Sequence, residues 1–78
     1  MNKTQIMTEL SGLTRKKLNN PNKQKQFREG LKNLSQEEVQ EVSFFAKEVL
    51  VYGGFNYDDA SEMQGLGFKF SMEDFLDC

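Results

Sequence analysis

The stretch Ser35-Gln36-Glu37-Glu38 constrains the fold of this chain more than any other four residues. A serine followed three residues later by glutamate closes a capping box. The Ser35 hydroxyl accepts from the Glu38 amide, and the Glu38 carboxylate accepts from the Ser35 amide. Glu37 and Glu38 also fall where the helix dipole favours negative charge. Beyond them Val39, Val42, Phe45, Ala46, Val49, Leu50 and Tyr52 make a wide apolar face at helical spacing. The pattern stops at Gly53-Gly54, where glycine tolerates the left-handed conformation that closes helices. A helix over 36–52 is therefore the core element on which the remaining segments pack.

Two segments precede it. Over 3–17, Ile6, Met7, Leu10 and Leu13 fall on one arc and predict an amphipathic helix. Lys17 would point into that arc, which places the end of the helix near it. Asn19, Asn20, Pro21 and Asn22 then break the chain, and Pro21 suits the first turn of a new helix. That helix, over 21–33, carries the narrow stripe Phe27, Leu31 and Leu34, with Gly30 weakening it by about 1 kcal/mol relative to alanine.

After Gly54 the pattern loses its helical period. Phe55-Asn56-Tyr57 alternates like a strand, as does Leu66-Gly67-Phe68-Lys69-Phe70. The two predict a small hairpin across 58–65, with a single helical turn in that stretch as the alternative. Ser71 and Asp74 form a weaker capping box that opens a short helix with Met72, Phe75 and Leu76. The expected fold is mainly α: one small three-helix domain over 1–78. An aromatic C-terminal segment packs across the third helix as a short β-hairpin, a short final helix, or both.

Size limits what such a domain can do. A chain of 78 residues buries about 60–65% of its unfolded surface, enough for one modest core and no deep pocket. Seven Phe and two Tyr offset an apolar content of only 37%. Independent folding is then marginal, and a partner is expected to supply part of the stability. The sequence has no histidine, no tryptophan and one cysteine, Cys78. That excludes an internal disulfide and every multi-cysteine or histidine metal site, and it fits a reducing compartment. No apolar run reaches the roughly 20 residues of a membrane span, and the N-terminal residues lack the apolar core of a signal peptide. The expectation is a cytoplasmic protein without cofactor or metal.

The net charge of -2 conceals a division. Residues 1–33 hold eight cations against two acids, a net +6, and residues 34–78 hold two cations against ten acids, a net -8. In the basic half, Arg15, Lys16 and Lys17 precede the turn, and Lys23, Lys25, Arg28 and Lys32 follow it. Cations that displace counterions give nucleic acid a nonspecific grip, whereas a solvated helix face balancing the acidic half is the plainer explanation. No aromatic ring is interleaved over 15–25, so a base-stacking platform has no support there. A helix-turn-helix reading would leave only Asn22, Gln24, Gln26 and Arg28 to read base edges. In the acidic half, helix starts account for Glu37, Glu38, Glu73 and Asp74. Asp58, Asp59 and Glu62 remain unexplained by local structure.

Catalysis finds no footing. Nucleophilic chemistry would need Cys78 or a serine without a histidine to activate it, and paired carboxylates would lack an enclosing site. The spacing of Asp58, Asp59 and Glu62 does not match a calcium loop, and Gly65-Leu66-Gly67 lacks the third glycine and the lysine of a phosphate cradle. Phe44 and Val51, seven residues apart, lie on the far side of the core helix from Val42, Ala46 and Val49. Either the C-terminal segment covers them with Phe68, Phe70 or Phe75, or they are an interface.

The functional expectation is a non-enzymatic inhibitor or adaptor that occupies a surface of a larger protein or nucleoprotein complex through Phe44, Val51, Asp58, Asp59 and Glu62. By composition alone it resembles the short proteins that phages and mobile elements use against host defence or nucleic-acid enzymes. The alternatives are nucleic-acid binding through Arg15 to Lys32, and a homo-oligomer joining the +6 half of one copy to the -8 half of another.

Overall fold

The computed structural model describes residues 1–76, without the side chain of Asp74. Five α-helices follow one another: α1 over Lys3–Ser11, α2 over Arg15–Leu18, α3 over Pro21–Lys32, α4 over Gln36–Tyr52 and α5 over Tyr57–Leu66. A 3₁₀ turn over Met72–Phe75 closes the described chain. Among the described residues there is no strand.

The core helix begins and ends where its signals predict. Ser35 Oγ accepts from the Glu38 amide at 3.2 Å, and Glu38 Oε1 accepts from the Ser35 amide at 3.0 Å. At the other end Gly53 remains right-handed and Gly54, at φ +72°, makes the left-handed turn. The apolar face is narrower than its composition implies. Val42, Ala46 and Leu50 are buried, Val39, Phe45 and Val49 are half-buried, and Tyr52 is 84% exposed.

The predicted first helix divides. Gly12 ends α1, and Thr14 starts a new turn by accepting from the Lys17 amide at 3.2 Å. The physical reason is visible in Lys17 itself: a continuous helix would drive its ammonium into the core. The break leaves Lys17 outside and turns Leu18 inward, where it is 1% exposed. On α3, Gly30 permits close approach. A Cβ there would sit 3.1 Å from Ile6 Cδ1 and 3.3 Å from the Met1 carbonyl oxygen.

The hairpin expectation is overturned over 57–66. Asn56 Oδ1 accepts from the Asp59 amide at 2.9 Å, and Asp59 Oδ2 accepts from the Asn56 amide at 3.2 Å, a complete capping box. Ala60, Met63 and Leu66, three residues apart, are buried on one face of α5. Local alternation in Phe55-Asn56-Tyr57 therefore lost to a cap that satisfies two otherwise unpaired amides. Asn56→Ala is expected to cost about 1 kcal/mol, seen as a fall in Tm of roughly 4–8 °C.

The helices meet in one core. Ile6 and Leu10 of α1 lie against α4, while Phe27 and Leu31 of α3 meet Met63 and Leu66 of α5 in the same cluster. The Cα radius of gyration is 11.3 Å, against about 11.5 Å expected for a close-packed chain of this length. The aromatic segment after Gly67 reaches α4 at Ser43 and then returns against α5. Phe68 enters the core edge-on to Phe27, with ring centroids 5.7 Å apart, and the Lys69 amide donates to buried Ser43 Oγ at 2.8 Å. Phe75 is also buried, with its ring tilted against Phe70.

Candidate binding surface

Ser43 and Phe44 are neighbours in sequence but point about 100° apart around α4. The C-terminal segment is anchored at Ser43, so it passes beside Phe44 rather than over it. Phe44 is 60% exposed and Val51 44% exposed. The expectation that Phe68, Phe70 or Phe75 covers them is thus corrected: Phe68 and Phe75 spend their area on the core.

Phe44 and Val51 stand at i and i+7 on the outer face of α4, with Tyr52 at its edge. Around Phe44 is a shallow hollow of about 600 Å³ lined by Met7, Glu37, Gln40, Glu41 and Phe45. Lys47, Glu48, Val51 and Tyr52 line a second hollow one to two turns on. The Lys47 ammonium sits 5.3 Å from the Phe44 ring centroid, within cation–π reach. Glu41 is ion-paired to Lys3, and this hydrogen bond raises the Lys3 pKa above the ordinary lysine value. The face is thus an apolar stripe framed by Glu37, Glu41 and Glu48. From sequence, Tyr52 reads as part of the buried apolar face and Glu37 as a helix-start charge, so neither marks this surface by itself. The spacing 37, 41, 44, 48, 51 carries the signal once Phe44 is known to be outside.

The acids on α5 are differently placed. Asp59 is the capping partner of Asn56 and accepts from Arg15 Nε at 3.2 Å, with its side chain 14% exposed. Glu62 accepts from Gln24 Nε2 at 3.4 Å, and only Asp58 extends into solvent without a hydrogen bond or ion pair. Two of the three acids therefore tie α5 to α2 and α3. They lie on a different element from Phe44 and Val51.

The basic half is divided in the same way. Arg15 is engaged by Asp59, and Lys23 by Glu9 at 3.1 Å. Lys16, Lys17, Lys25, Arg28 and Lys32 are exposed and make no ion pair among the described residues. Among those residues, no group of three His, Cys, Asp or Glu lies close enough to hold a metal ion, and no helix is long and apolar enough to cross a membrane. Cys78 lies outside the described residues.

No protein-family model matches the chain, and comparison with curated proteins and with solved structures finds no relative.

Proposed function

We propose that the protein is a non-enzymatic binding protein, an inhibitor or adaptor, that docks on a larger protein or nucleoprotein complex through the outer face of α4. The observation that carries this reading is the exposure of Phe44 and Val51, with Tyr52 beside them, on one face of the core helix. A chain this small cannot hide every ring it carries, but its C-terminal aromatics are spent on the core while Phe44 is left outside. Large apolar groups set together in a polar rim are what an interface anchor requires. Glu37 and Glu48, beside Glu41 already paired with Lys3, favour a partner surface with cations around an apolar hollow. Asp58 lies on α5, apart from this face, and Asp59 and Glu62 are already engaged by Arg15 and Gln24.

Phe44→Asp tests it. The substitution is expected to weaken partner capture by more than about 2 kcal/mol, the scale of an interface hot spot. Its cost to stability is expected to stay below about 1 kcal/mol, as for an exposed site. Retained capture by a folded variant would remove the reading; loss of the fold would place Phe44 in the core.

A second reading is nucleic-acid binding, favoured by the five unpaired cations Lys16, Lys17, Lys25, Arg28 and Lys32. It requires affinity that falls steeply with log salt and collapses when Lys25, Arg28 and Lys32 become alanine. Failure to bind DNA or RNA at low salt would dispose of it.

A further inference from the structure

A groove distinct from the Phe44 face lies where the end of α3, the start of α4 and the end of α5 meet. Its volume is about 480 Å³, inside the range of roughly 300–1,000 Å³ in which ligands and anchoring side chains seat. Leu31, Leu34, Val39 and Leu66 form the floor, and Arg28, Lys32 and Lys69 stand on its walls. Val39 and Phe44 are roughly 140° apart around α4, so the groove does not share the first surface.

Its charge is unusual for this molecule. The chain has twelve acids against ten cations, yet the groove is lined by three cations and no carboxylate. Lys3, Arg15 and Lys23 are neutralised within the fold by Glu41, Asp59 and Glu9, while Lys16, Lys17 and Lys25 are exposed outside the groove. Arg28, Lys32 and Lys69 are exposed and have no such partner among the described residues. Lys69 belongs to the acidic half of the sequence. The fold, held there by the bond from its amide to Ser43, brings it to the same groove as Arg28 and Lys32.

We propose that this groove binds an acidic segment of a partner protein in which carboxylates alternate with aliphatic or aromatic anchors. The anchors seat on Leu34 and Val39, both half-buried, and the carboxylates meet Arg28, Lys32 and Lys69. A nucleic acid satisfies the cations but not the floor, since no aromatic ring lines the groove for a base to stack on. The proposal is independent of Phe44.

The test uses the full chain and fluorescein-labelled peptides read by anisotropy. One set alternates Leu or Phe with Asp or Glu; a second replaces the apolar residues with Ser; a third replaces the acids with Lys. A labelled single-stranded DNA is the fourth probe. Saturable binding is expected for the first set alone, weakening as salt rises. Arg28→Glu with Lys69→Glu should raise Kd about tenfold, more than loss of exposed pairs alone because the sign is reversed. Lys16→Glu with Lys17→Glu makes the same change in net charge outside the groove and should raise Kd far less. If the first double variant fails to melt cooperatively, Lys32→Glu takes its place. The proposal is overturned by any of four results: no binding of the first set, equal binding of the serine set, equal loss in both double variants, or preference for DNA.

Discussion

Phe68→Ala is expected to destabilise the fold by about 3–5 kcal/mol, the range for removing a buried aromatic ring. Phe68 is 2% exposed and meets Phe27 edge-on, a geometry worth about 0.5–1.5 kcal/mol beyond the area it buries. The ring also fixes the course of the chain. It lies between the turn at Gly67 and the Lys69 amide bonded to Ser43, so its loss loosens the segment that closes the core under α5. Against a total stability of roughly 4–12 kcal/mol for a domain of this length, the variant should lose about a quarter or more of its folding free energy. Urea unfolding checks this through a fall in midpoint at unchanged slope. Phe70→Ala, at a half-buried ring, should cost clearly less. Equal costs would mean that Phe68 is not the ring the core is built around.

The elements that could be read from sequence are those whose cap and apolar period agree. Ser35 and Glu38 begin α4, Val42, Ala46 and Leu50 give its buried face, and Gly53-Gly54 ends it; all three signals name one helix. Pro21 preceded by Asn20 likewise starts α3. Over 57–66, where hairpin and helical turn are both legible, the signals disagree and the helix forms. Phe55, Tyr57, Phe68 and Phe70 alternate, while Asn56 and Asp59 form a box written in the less familiar Asn–Asp letters. The box wins because it satisfies amides at once, whereas an isolated hairpin needs a third strand or a helix to pack on before it is stable. The division of the first helix has the same logic, since Thr14 caps α2 without a glutamate three residues on to advertise it.

The surface was legible in part, for a different reason. Helical spacing places Phe44 and Val51 opposite Val42, Ala46 and Val49, but spacing alone does not say what covers them. That depended on Ser43, a buried serine on the core helix whose hydroxyl accepts the Lys69 amide and so sets the path of the C-terminal segment. Long-range pairing of this kind leaves no periodic trace. Nor does Asp59–Arg15, which took one acid and one cation out of the two candidate sites together, although they are 44 residues apart in sequence.

The last expected result concerns two glycines in the turn that leads into that segment. Gly65→Ala should stabilise the protein by about 0.5–1 kcal/mol, because Gly65 is helical and a Cβ there meets nothing within 4 Å. Gly67→Ala should destabilise it by about 1–3 kcal/mol. Gly67 has φ +121° and ψ -1°, a region that side chains disfavour, and its added Cβ would lie 3.3 Å from Leu31 Cδ1. The same methyl group placed two residues apart is thus expected to move Tm in opposite directions, with a separation of about 6 °C or more. The opposition is informative because propensity alone would favour alanine at both positions near a helix end. A loss confined to Gly67 assigns the cost to its positive φ together with the close approach of Leu31, at the point where the chain leaves α5 and turns Phe68 inward. A gain at Gly67 would mean that the turn can be rebuilt without positive φ, and that Phe68 rather than the glycine fixes the course of the C-terminal segment.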